Sequence, residues 1–168
     1  MAKRIVSIPT CTLTAYADTS GMANGLYPFV IQGASGTQRT NIFEIYLGGQ
    51  MSASAIAIIL LARDSTIGAT VGSTTNFDAA LDPATAALAA PVVTANAFTT
   101  TPQRSSSLHL HNLTFNAFGG IVKWNPGTPD QAPSIIGNTA SLGEVSVSAF
   151  TGSTASTVIG AHCVYETL

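Results

Sequence analysis

Short segments rich in β-branched and aromatic residues recur along the whole 168-residue chain, separated by Gly, Pro, Asn and Ser, and no long stretch spaces its apolar residues at i, i+3 and i+4. That pattern favours an all-β fold. The segments that read as strands are residues 5–8, 11–17, 27–33, 41–47, 53–63, 107–112, 115–124, 141–150 and 157–165. A chain of this length builds one core. Residues 1–168 are therefore read as a single domain, a jelly-roll-like antiparallel β-sandwich with one short helix in a long inter-strand excursion.

Individual strands carry different burial signals. Val145, Val147 and Ala149 alternate with Glu144, Ser146 and Ser148, the mark of a strand with one wet face. Residues 53–62 are apolar on both faces, which fits a central strand or one covered by a neighbouring subunit. Arg63-Asp64-Ser65 reads as the turn that returns this strand to solvent. The excursion spans residues 65–104. Within it alanines gather around Leu81 and Leu88, Asp82-Pro83 offers an N-cap and first helical residue, and Pro91 closes the short helix. Residues 125–134 hold four prolines and glycines and read as a stiff surface loop.

Charge is the unusual part of the composition. Charged residues are 8% of the chain, against roughly 25% in an ordinary soluble domain, while the apolar fraction is 46%. With six Lys and Arg against eight Asp and Glu, no basic footprint exists for a phosphate backbone or an anionic membrane. No nucleic-acid or membrane partner is expected. The longest apolar stretch, residues 53–62 with only Ser54 interrupting it, is about half of the roughly 20 residues a membrane-crossing helix needs. Lys3 and Arg4 ahead of an apolar patch resemble the start of a secretion signal, but Pro9, Thr10, Thr12 and Thr14 interrupt it. A surface built from Ser, Thr, Asn, Gln and Gly supplies little mutual repulsion between copies, which points to assembly.

Chemistry-bearing residues are sparse. His109 and His111, two apart on a strand, would share a face, yet a closed metal site needs about four ligands and His162 is the only other histidine. The acids are scattered beside turns, no G-x-S-x-G or phosphate-binding loop occurs, and Lys3 and Lys123 are the only lysines. No catalytic residue, metal or cofactor is expected. Cys11 and Cys163 read as core-facing free thiols. Trp124 reads as a ring packed at the sandwich end or at a seam between subunits, and the alternative use of that ring is as a stacking surface for carbohydrate. Asn112-Leu113-Thr114 matches a glycosylation acceptor that has no expected consequence without secretion.

Several stretches taken together resemble small jelly-roll structural proteins of tailed bacteriophage virions. They are the apolar strand ending in Arg63-Asp64-Ser65-Thr66, the Gly/Ser/Thr loop 68–75 and the Ala-rich turn 78–83. Downstream come Trp124, the Pro-rich loop to Pro133, Ile135-Ile136-Gly137-Asn138 and two closing strands that reach Glu166. The resemblance runs over about residues 43–168 and rests on element order and composition. It implies a non-enzymatic capsid decoration or cement subunit on the virion surface, made in the host cytoplasm, that binds the major capsid protein and itself as a homotrimer. A neck or tail subunit and a jelly-roll carbohydrate-binding module are the alternatives. The opening residues 1–17 have no counterpart in it and are read as an arm laid on a neighbour. The expected protein contacts are Ile5, Val6 and Ile8 in that arm, Phe77, Leu81 and Leu88 in the excursion, and Trp124.

Overall fold

The computed structural model describes residues 2–13, 26–33, 39–70, 78–81, 92–94, 98–100, 102–137, 139, 142–151 and 156–168. Its long strands are β1 (Ala2–Leu13), β2 (Leu26–Gln32), β3 (Arg39–Gly49) and β4 (Ile56–Thr66). Four short ones follow in the excursion: β5 (Ala69–Thr70), β6 (Asp78–Ala80), β7 (Val92–Thr94) and β8 (Phe98–Thr100). The second half contributes β9 (Gln103–Asn116), β10 (Ile121–Trp124), β11 (Ser134–Ile136), β12 (Glu144–Thr151) and β13 (Thr157–Thr167). A single 3-10 turn, Pro129–Gln131, is the helical element among the described residues. The predicted helix at residues 82–90 lies outside them.

The strands form two antiparallel sheets, one ordered β10-β3-β13-β1-β6 with β11 also on β3, the other β7-β2-β12-β4-β9. A small β5-β8 ladder stands apart. The pairings nest: β4 with β9, β3 with β10 and β11, β2 with β12, and β1 with β13. One long hairpin, folded over so that β13 also meets β3 and β12 also meets β4, gives this order. The two-sheet sandwich is what the strand pattern predicts, and the nested order is that of a jelly roll, as the resemblance implied.

Aliphatic side chains, most of them β-branched, and one tyrosine fill the space between the sheets. Val6, Ile42, Ile45, Leu47, Ile59, Val147, Ile159 and Tyr165 are all essentially inaccessible there. Two predicted segments, 5–8 and 11–17, join in β1, whose register with β13 shifts between Ile8 and Cys11. Pro9 sits at that shift, where a residue without an N–H fits a bulge. Two others, 107–112 and 115–124, are redrawn. β9 runs unbroken through Asn116, and the chain reverses at Ala117–Gly120, where Gly119 takes φ 67°. Only a glycine enters that left-handed region without strain.

Residues 2–13, the described part of the expected arm, form a strand of the first sheet. β1 pairs with β13 from Ala2 to Leu13 and carries β6 on its other edge. Val6 and Ile8 point into the chain's own core, and Ile5 is half-buried on the outward face of the same strand. Residues 14–17 lie outside the described set. The excursion likewise returns to its own sandwich, because β6 extends the first sheet beyond β1 and β7 extends the second beyond β2.

Part of the second sheet is buried on both faces. β4 is central, as one of the two expectations had it. Val30, Leu60, Ala62 and Ser146, which point away from the interlayer core, are also inaccessible within the single chain. The wet face expected for residues 144–150 is therefore absent at Ser146. Asp64 corrects a second expectation: β4 continues to Thr66, and Asp64 is fully buried with Ser146 Oγ donating to its Oδ1 at 2.7 Å. Arg104 lies across the ladder from it and is 3% exposed. Arg63, on the opposite side of the strand, donates from Nη2 to the Ser134 carbonyl at 2.8 Å and so ties the second sheet to the first.

Gly48 and Gly49, adjacent in β3, are predicted to respond oppositely to the same change. A Cβ on Gly49 would collide with the Ala117 backbone, whereas one on Gly48 would meet only the Tyr46 ring, at 4.0 Å. Gly49→Ala is expected to lose about 1–3 kcal/mol in urea unfolding. Gly48→Ala is expected to be neutral or slightly stabilising, since it gives a strand residue a side chain.

Candidate functional site

The outward face of the first sheet is where described surface features converge. Leu47, Ala161 and Ile8 point inward, so their neighbours on β3, β13 and β1 point out. Across the strands this sets Lys123, Tyr46, His162 and Ser7 in one row, each in register with the next. One step along, Ile121, Gly48 and Gly160 form the adjoining row. Two neighbouring glycines leave backbone where side chains would stand. The result is a depression of about 400 Å³, bordered by Ser7, Tyr46, Gln50, Ile121 and His162.

Its aromatic wall is held in place. The Tyr46 and His162 rings stack at 4.8 Å between centroids, with planes 3° apart. His162 Nε2 lies 3.0 Å from Glu44 Oε1, and Lys123 Nζ lies 2.8 Å from Glu44 Oε2. The hydrogen bond with His162, then that with Lys123, keeps the Glu44 carboxyl below its ordinary 4.5. Because Lys123 is half exposed, Lys123→Met is expected to cost only about 0.2–1 kcal/mol at neutral pH.

At the sandwich side between β9 and β10, the Trp124 ring is half-buried against the core and tilted on His111, with centroids 4.2 Å apart. Burial holds the His111 imidazole below its ordinary 6.5. Both lowered groups act with the same sign, since the unfolded chain takes up each proton first. Stability is expected to fall as pH drops below 6.5, where His111 is the cause, and again below 4.5 as Glu44 protonates. Chemical unfolding across this range checks it, and His111→Phe should remove the upper step only.

His109 and His111, expected to share a face, do not keep strict alternation in the ladder. His111 lies opposite Leu61 and His109 opposite Ala62, positions on opposite faces of β4, because the ladder shifts between them. Among the described residues no three of His, Cys, Asp and Glu come together as a metal site. Cys11 and Cys163 are buried and not joined in a disulfide, and burial pushes the Cys163 thiol well up.

Of the expected contact residues, Val6 and Ile8 belong to the core, Ile5 is half-buried, Trp124 packs on the core, and Leu81 is exposed. Phe77 and Leu88 lie outside the described residues. The structure adds exposed apolar residues that the sequence did not single out. Phe118 and Ile121 stand at the end of the first sheet beside the depression. Ile136, Leu142 and Leu168 gather at its other end: Ile136 donates its N–H to Leu142 and pairs with Arg39, whose carbonyl accepts from Leu168. The signal for these was present only in the topology, which joins β11 and the end of β13 to one end of β3. The sequence matches no protein-family model and no curated protein, which leaves the fold and these surfaces as the ground for function.

Proposed function

We propose that the protein is a non-enzymatic structural subunit of a phage particle, a decoration or cement protein that reinforces the head through contacts with itself, as a homotrimer, and with the major capsid protein. The observation that carries this reading is the placement of exposed apolar residues. Phe118 and Ile121 at one end of a sheet, with Ile136, Leu142 and Leu168 at the other, give a charge-poor jelly roll two separated sticky ends, 46–63% exposed. Interface cores are depleted of charge and enriched in such residues. Two ends allow one to serve self-association and the other the shell.

Sedimentation of the purified chain at micromolar concentration is expected to show a trimer. Either Ile121→Asp with Phe118→Ser or Leu142→Asp with Leu168→Asp should reduce it to monomer without moving the thermal midpoint. Adding the protein to bare heads should raise their resistance to heat. A monomer that leaves heads as fragile as before would count against the reading. The Trp124 ring, on which the carbohydrate alternative relied, is half-buried against the core and tilted on His111.

A further inference from the structure

We propose that the depression on the outward face of the first sheet is a binding site for a neutral saccharide. The inference does not rest on the capsid reading, and because Ile121 serves both, a protein contact made through that end of the sheet would compete with the ligand. Three features converge on this ligand class. The first is shape: Gly48 and Gly160, in register on adjacent strands, lower the floor to backbone level, and Ile121 supplies an apolar flank. The volume of about 400 Å³ falls in the range of small-molecule sites.

The second feature is the polarity of the lining. Ser7 and Gln50 offer neutral groups that both donate and accept, as sugar hydroxyls require. The charged groups nearby, Glu44 and Lys123, are already paired with each other, and Glu44 also engages His162. An ionic ligand would therefore meet no uncommitted counter-charge and would bear its own desolvation cost. A saccharide, with C–H faces and hydroxyl edges on one ring, matches a surface that is apolar at its flank and neutral-polar at its border.

The third is rigidity. The Tyr46 ring is fixed by its stack on His162, and His162 by Glu44, so the wall is ordered before any ligand arrives. Little side-chain freedom remains to be lost on binding.

Saturation-transfer NMR on the full chain, with glucose, galactose, mannose, N-acetylglucosamine, maltose and lactose as probes, tests this. At least one sugar is expected to show transfer, with a dissociation constant on the order of 1 mM, as a shallow open site gives. Gly48→Leu places its side chain in the depression, where a Cβ meets only the Tyr46 ring. It should weaken binding at least about tenfold while its thermal midpoint stays at or above that of the parent. Ser7→Ala with Gln50→Ala, at two exposed positions, is the second variant. It removes hydrogen-bonding groups without adding bulk and should also weaken binding. Absence of transfer to every sugar, or transfer that persists unchanged in both variants, overturns the proposal.

Discussion

Deletion of residues 1–13 is expected to leave a chain without a cooperative unfolding transition, not a folded subunit that has lost a contact with its neighbour. Val6, Ile8 and Leu13 are buried in the interlayer core, and each contributes about 1.5–3 kcal/mol through burial. Together with the ladders that β1 makes to β13 and β6, this rivals the roughly 5–15 kcal/mol by which a whole domain is stable. Circular dichroism melting and the dispersion of amide NMR signals check it. A truncated chain that melts sharply at the parent midpoint would restore the arm.

Arg104→Ala is expected to cost about 3–5 kcal/mol, the loss that follows when one of two opposite charges buried in register with each other is removed. Arg104 and Asp64 face each other across the β4–β9 ladder, at 3% and 0% exposure, and Ser146 completes the group. Without the guanidinium, the Asp64 carboxylate stays in a low-dielectric site that was built for two opposite charges. Changing both residues to leucine should cost much less than Arg104→Ala, because no charge is then left behind. Ser146→Ala should lose about 1–3 kcal/mol, since it removes a buried donor from the carboxylate. Urea unfolding of the singles and the double gives the coupling directly. Additive losses would show that the two charges do not depend on each other.

The contrast between what was and was not legible beforehand follows from where the signals sit in the chain. Strand positions in β3, β12 and β13 were readable because alternation is local: a few neighbouring residues declare which face is apolar. Asp64 was not. Arg63-Asp64-Ser65 has the composition of a turn, and the charge that permits burial, Arg104, belongs to a strand far along the sequence. Only the ladder brings them together. His109 and His111 fail for a related reason, since one shift in register undoes strict alternation and nothing in His-Leu-His announces it. The depression was invisible in the same way. Gly48 lies just beyond the segment 41–47 and Gly160 inside the segment 157–165, and their significance arises only from lying side by side. Val6 and Ile8 were expected to lie against a neighbouring subunit, and in the structure they are buried in the chain's own core. Their strand pairs with β13 of the same chain, and pairing between the two ends of a sequence leaves no mark on either.

The nesting of the hairpin sets an order of events for the molecule as it is made. β4 and β9 form the innermost pair and can meet early, but β1 has to wait for β13, from which it is separated by nearly the whole polypeptide. Closing so large a loop is slow and comes late. During synthesis the first strand therefore emerges well before its main partner exists, with Val6, Ile8 and Leu13 uncovered. A cell producing many copies at once holds a transient population of such half-finished chains, and exchange of β1 between two of them is the error to which this architecture is most exposed.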